Sequence, residues 1–211
     1  GFLPYIFVAF IFLGAMYPAI DLGSGEKERG SLETLLSSPA TKFEITMGKL
    51  AVVSIAGVSS GVLSLIGICI PAAFMPGVPA EIQALVFELL NPNAIFMIVL
   101  LMVPIAVFFS SLILSVSFYA KSFKEAQSLI GPLNMVVFVP IMLSLGPGIE
   151  LNHVTALVPI VNVGLITKEI LSGSLEMIYF METFLSLIGF ALVGVRFTVY
   201  WFNKENTIFR I

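Results

Sequence analysis

Five stretches of this chain, about residues 2–20, 43–75, 94–120, 126–147 and 178–202, are each long and apolar enough to cross a bilayer. A helix rises about 1.5 Å per residue, so roughly 20 apolar residues cover the hydrocarbon core. Composition points the same way: 58% of the residues are hydrophobic and 11% charged, with a mean hydropathy of +1.07. Soluble domains are about half apolar and a quarter charged. Ten Lys and Arg with thirteen Asp and Glu cannot furnish the polar surface that a soluble protein of 211 residues needs. The expectation is an all-α polytopic bundle of five spans, a single transmembrane domain over residues 1–211, with the lipid bilayer as its principal partner.

Local signals refine the boundaries. Thr41-Lys42-Phe43-Glu44 reads as a capping box that opens the second helix in polar surroundings, and Pro39 just before it breaks the chain between helices. Lys27, Arg29, Lys42 and Lys49 follow the first span, Lys121 and Lys124 the third, and Arg196, Lys204 and Arg210 the last. Nine of the ten basic residues thus share one side, the exception being Lys168. The opposite loop at 76–93 carries Glu81 and Glu88 and no basic residue. Since basic residues are retained in the cytoplasm, the N-terminus is expected outside and the C-terminus inside. Residues 151–176 hold an apolar core too short to span and broken by Pro159 and Gly164, which predicts a re-entrant or interfacial helical hairpin on the outer side. The chain enters its first apolar segment directly from Gly1, without a basic leader, and is expected to be a piece of a longer protein.

Polar residues within the spans are few, and each has a packing and a functional reading. Asn134 and Glu182 either face a cation path or make interhelical hydrogen bonds. Gly57 and Gly61, extended by Ser64, form a small-residue face for close helix contact. Pro104, Pro132 and Pro140 kink their spans. Asp21 is expected at the inner interface, and Arg196 is expected to reach the inner headgroups. Catalysis has little to stand on. His153 is the single histidine, Cys69 the single cysteine, and Gly173-Ser174 lacks the surroundings of a nucleophile, so neither a metal site, a disulfide nor a catalytic residue is expected. Gly48-Lys49 is followed by Leu50 and lacks the upstream glycine of a phosphate loop, so it reads as an interfacial pair and ATP chemistry belongs to another chain. The basic residues are too few, and too well explained by topology, for nucleic-acid binding.

The segment from Gly25 to Pro39 is too organised for a linker. Ser31 is placed to cap a short helix on which Leu32, Leu35 and Leu36 share a face, with Glu33 near its positive end. Such a helix either docks in a groove of a soluble partner or lies on the membrane surface. The run Glu28-Arg29-Gly30-Ser31-Leu32-Glu33-Thr34-Leu35-Leu36-Ser37-Ser38-Pro39 resembles the coupling-helix segment of type-2 ABC exporter permeases, with Ser31 where threonine is usual. Residues Val158 to Leu171 and Phe202 to Arg210 are similar to the outer segment and the tail of the sodium-extruding branch. The resemblance implies a permease subunit of an ATP-driven exporter in a prokaryotic plasma membrane, extruding Na⁺ or else a drug, peptide or lipid. It implies ATP and Mg²⁺ on cytoplasmic ATPase subunits, none held by this chain, and pairing with a second copy or a related permease. Glu28, Arg29, Gly30, Leu32, Glu33, Leu35 and Leu36 would carry the coupling, within a helix over about residues 29–37. Family members carry one further N-terminal span and a large extracellular domain, so six spans are expected in the complete protein. A membrane scaffold that reused the same bundle is the competing class.

Overall fold

The computed structural model describes residues 3–74, 80–146 and 148–204. Residues 2 and 75 of the expected first and second spans, and the tail from Glu205 to Arg210, lie outside the described residues. In chain order the elements are α1 (Leu3–Ile20), a π-helical turn (Asp21–Gly25), α2 (Glu26–Glu28), α3 (Ser31–Leu36), α4 (Lys42–Phe74) and α5 (Ala80–Leu89), then α6 (Pro92–Tyr119), α7 (Phe123–Leu143), a 3₁₀ turn (Thr155–Leu157), α8 (Val161–Ser172) and α9 (Met177–Asn203). Among the described residues five helices are long and apolar enough to cross a membrane, the first running on through the π-turn to Glu28.

The starts of α4, α6 and α7 have a side-chain cause. The Thr41 and Glu44 box forms in full: Glu44 N donates to Thr41 Oγ1 at 3.2 Å, and Thr41 N donates to Glu44 Oε2 at 2.8 Å. Asn91 caps α6, with Pro92 in the first turn where its missing N–H costs nothing. Ser122 Oγ accepts from Glu125 N at 3.2 Å while Glu125 Oε2 accepts from Lys121 N at 2.7 Å, so α7 opens at Phe123, ahead of the expected residue 126. It also ends at Leu143, before the expected residue 147.

Two loop expectations need correction. The 76–93 connection is not a plain loop, because α5 occupies Ala80–Leu89. The 151–176 segment is not a helical hairpin; it is the 3₁₀ turn followed by the single helix α8. Ile160 adopts φ 73° to turn the chain into α8, and Gly173 at φ 69° turns it out. Asn162 Nδ2 ties α8 back to Ala156 O at 2.9 Å. Asn162, Val163, Ile166 and Thr167 are buried, so α8 packs into one end of the bundle against α1, α6, α7 and α9.

Span direction alternates, which sorts the connections between two ends. At one end the Lys27 ammonium reaches Ala120 O at 3.4 Å, and the Phe118 and Phe202 rings lie 4.7 Å apart. At the other, α5 meets α8, and Ser186 Oγ donates to Leu157 O at 3.0 Å. Among the described basic residues, only Lys168 lies at the end with α8. α6 is the most enclosed span, flanked by α1, α4 and α9. Leu63, Phe96, Met135 and Val193, each at least 66% exposed, belong to the apolar outer belt that a lipid environment would cover.

Small residues let α1 and α4 approach. A Cβ on Gly57 would stand 3.1 Å from Ile11 O, one on Gly61 2.6 Å from Ile11 Cγ1, and one on Gly14 2.3 Å from Ser60 Cβ. Gly48, by contrast, has nothing within 4 Å of that position. Gly14→Ala should therefore lower stability by about 1–3 kcal/mol through overpacking, whereas Gly48→Ala should be neutral or mildly stabilising. Thermal unfolding of the two variants in detergent micelles checks the contrast.

Candidate functional site

The first span does not stop where its apolar run ends. Past Ile20 it continues through the π-turn Asp21–Gly25 into Glu26–Glu28, carrying a helical backbone into a polar stretch. A π-turn adds a residue to the helical repeat and so rotates everything after it by about 100°, re-aiming the side chains that follow. Ser24 N, a buried amide, donates to Ser117 Oγ of α6 at 2.9 Å. Leu22 O accepts from Lys49 Nζ of α4 at 2.5 Å. Gly23 is needed for this approach, because a Cβ there would meet Ser117 Oγ at 2.1 Å.

Lys49 is the residue that sequence reasoning missed. Read as half of an interfacial Gly48-Lys49 pair, its side chain is in fact only 6% exposed and pairs with the Glu26 carboxylate. The Phe118 ring lies 6.0 Å from its ammonium. A lysine preceded by apolar spacing at the start of a long helix carries no sign, in sequence, of which carboxylate 23 positions earlier will meet it. Lys27 hydrogen-bonds to Phe118 O and Ala120 O, carbonyls at the end of α6 where a cation suits the helix dipole. Glu28 Oε2 accepts from Phe123 N at 2.8 Å, adding an anion to the first turn of α7. The elbow formed by residues 21–29 thereby holds α4, α6 and α7 at one point.

Beyond the elbow, Arg29 pairs with Asp21 at 2.6 Å, and this hydrogen bond raises the guanidinium pKa above its ordinary value. Gly30 then turns the chain at φ 71°, a left-handed conformation that suits glycine, and α3 begins. Gly30 holds the N-cap position without a side-chain bond, and Ser31 Oγ donates back to Glu26 O at 3.3 Å. The expected Ser31 cap is thus replaced by a tie to α2. Leu32 is 4% exposed and joins the core, with half-buried Leu35 and Leu36 packed beside it. The leucine face of α3 is turned onto its own bundle. Glu28, Arg29, Gly30, Ser31, Glu33 and Thr34 are the exposed edge.

The other candidate residues are not brought together. Asn134, half-buried on α7, donates to Gly131 O of its own helix at 3.1 Å and leaves Oδ1 without a partner. Glu182, on α9 at the opposite end from the elbow, pairs with His153 Nδ1 at 2.9 and 3.0 Å, and Tyr179 flanks the imidazole. Between α1 and α4 a groove of about 700 Å³ is floored by Gly14, Ser60 and Ser64 and walled by Phe10 and Leu63. No group of three or more metal-ligating side chains occurs among the described residues.

The sequence model of a family described as "ABC-2 family transporter protein" matches residues 3–207, which takes in every span and the elbow. This chain belongs to the ABC-2 family. The ABC-2 chain is also 31% identical over 182 residues to the ABC transporter permease protein NatB of Bacillus subtilis (strain 168). That alignment covers 82% of this chain and 45% of the relative, so the ABC-2 chain spans less than half of the relative's length. No solved structure matches it. It is a permease-like ABC-2 membrane protein, homologous to NatB-like permeases.

If the Ser117 hydroxyl satisfies the π-turn, Ser117→Ala removes the acceptor facing the buried Ser24 amide and should cost about 1–3 kcal/mol. Ser31→Ala, on the exposed edge, should change stability by less than about 0.5 kcal/mol. Unfolding curves of both variants in the same detergent test the assignment.

Proposed function

We propose that this chain is the membrane part of an ATP-driven exporter and that α3 with the adjoining elbow is its coupling element, seated on a separate cytoplasmic ATPase subunit. The observation that carries this reading is the division of labour on α3. Leu32 is buried in the bundle with half-buried Leu35 and Leu36 packed beside it, while Glu28, Arg29, Glu33 and Thr34 form an exposed edge anchored to a continuous span. Family membership supports it, since a permease without a phosphate loop draws its energy from another chain. In this reading the elbow end is cytoplasmic, in keeping with its basic residues, and the α8 end is outside. Two ATPase subunits close on ATP, push the coupling elements of a permease pair, and rock the helices from inward to outward access.

The exposed edge also defines which contacts matter. Glu33 presents a free carboxylate and suits a basic groove, whereas Leu32 serves the fold of this chain and is inaccessible to a partner. Sodium is the cargo implied by the resemblance of residues Val158 to Leu171 to the sodium-extruding branch. Glu182 contributes to that path only if its His153 partner is displaced.

Glu33→Arg should reduce capture of the ATPase subunit by the full-length permease at least tenfold while membrane insertion is unchanged, and normal co-purification would count against the coupling role. ATP-dependent movement of radioactive sodium in sealed vesicles holding both subunits tests the cargo. Flux equal to that of an ATPase-dead control would move the assignment to another substrate.

A further inference from the structure

Lys49 and Glu26 sit at the two ends of the segment that contains α3. α2 leads into α3 from the first span, and α4 leads away from it, so the pair closes residues 26–49 like a clasp. We propose that Lys49 is a positioning residue whose clasp makes the inner ends of α1 and α4 move as one body when α3 is displaced. The proposal rests on the coupling reading and adds the route by which displacement enters the bundle.

Stability alone is a poor reason for this arrangement. Taking an ammonium and a carboxylate out of water is costly, and well-packed apolar side chains in their place are commonly as stable or more so. The Lys49 side chain is 6% exposed and that of Glu26 16% exposed, so both are largely withdrawn from solvent. What an apolar pair cannot do is hold the backbone. Lys49 Nζ donates to Leu22 O inside the π-turn at 2.5 Å as well as to Glu26, so one side chain grips the turn and the helix after it together. A π-turn is a local departure from regular helix that is found often at functional sites. Left to itself, a π-turn followed by a left-handed Gly30 is a place where the chain can flex.

Other elbow contacts reach other helices: Lys27 meets the end of α6 and Glu28 the start of α7. Higher up, the glycine contacts of Gly14, Gly57 and Gly61 keep α1 and α4 together by packing. With the clasp intact, a push on α3 finds α1 and α4 locked at both levels. Without it, the push splays their inner ends and is dissipated.

The test uses the full-length permease with its ATPase subunits in lipid nanodiscs, cysteine-free apart from spin labels at Tyr17 on α1 and Val52 on α4, both exposed. In the unmodified clasp, the distance between labels should be the same in the nucleotide-free and ATP-trapped states. In Lys49→Met it should broaden and change between states by more than the ~1–2 Å of ordinary interface shifts, and Lys49→Arg should restore the single distance. Glu26→Gln provides a milder loss should Lys49→Met not fold. A state-independent distance in Lys49→Met and Glu26→Gln, or a state-dependent one in the intact protein, overturns the proposal. Failure of the intact permease to bind the ATPase would sink the coupling reading instead. The clasp is then judged by hydrogen exchange in the permease alone, where Lys49→Met should speed exchange of the 21–29 amides at least tenfold and unchanged rates overturn it.

Discussion

A backbone polar group withdrawn from water must find a partner within the protein, and at the elbow below the first span side chains from other helices supply two of those partners. At Asp21–Gly25 the regular hydrogen-bond ladder of the first span gives way to a π-turn. Ser117 takes up the amide of Ser24, and Lys49 takes up the carbonyl of Leu22. The direction in which α2 and α3 leave the bundle depends on those two bonds. So does the choice of which leucines are buried and which charged residues are presented.

Electrostatics and packing meet at this elbow. Two unit charges at about 4 Å attract by about 4 kcal/mol at the effective dielectric near a protein surface, and a penalty of several kcal/mol per ion opposes burial. Besides Glu26, the Lys49 ammonium has a carbonyl and an aromatic face that offset part of its burial. Elsewhere the bundle is joined by shape and by hydroxyls. α1 and α4 meet across glycine, and α6 and α9 meet across a buried seam in which Thr198 Oγ1 donates to Ser111 O at 2.9 Å and lies 3.0 Å from Ser115 Oγ. Gly194 fits against Ser111 in that seam, where a Cβ would come within 2.1 Å of the hydroxyl. Rigid seams of this kind let a displacement at one end move whole helices.

Local patterning made much of this legible. The apolar runs located the five spans to within a few residues, and Thr41 with Glu44 marked the start of α4 through bonds between near neighbours. The same kind of signal at Ser122 and Glu125 was available, and it explains why α7 begins early. The segment from Glu28 to Pro39 stood out because its charges, glycine and leucine spacing are local properties. Where sequence reasoning went astray, the deciding contact was distant along the chain. Leu32 looked like part of a docking face because its periodicity says that it needs a cover, not which surface supplies one. For Glu182 the sequence left a cation path and a hydrogen bond both open, and it could not name His153, which meets the carboxylate from another loop.

The sequence by itself determined an all-α, lipid-compatible chain with five spans, a short helix after the first of them and a strongly one-sided distribution of basic residues, because hydropathy, capping and charge placement act within a few turns. Only the tertiary structure decided that Lys49 is buried on Glu26 and Leu22 O, that the leucines of α3 face inward, and that α8 is a single helix packed into the bundle. Those outcomes depend on which helices become neighbours. A side chain's burial is set by what stands opposite it, and that is a property of the assembled bundle.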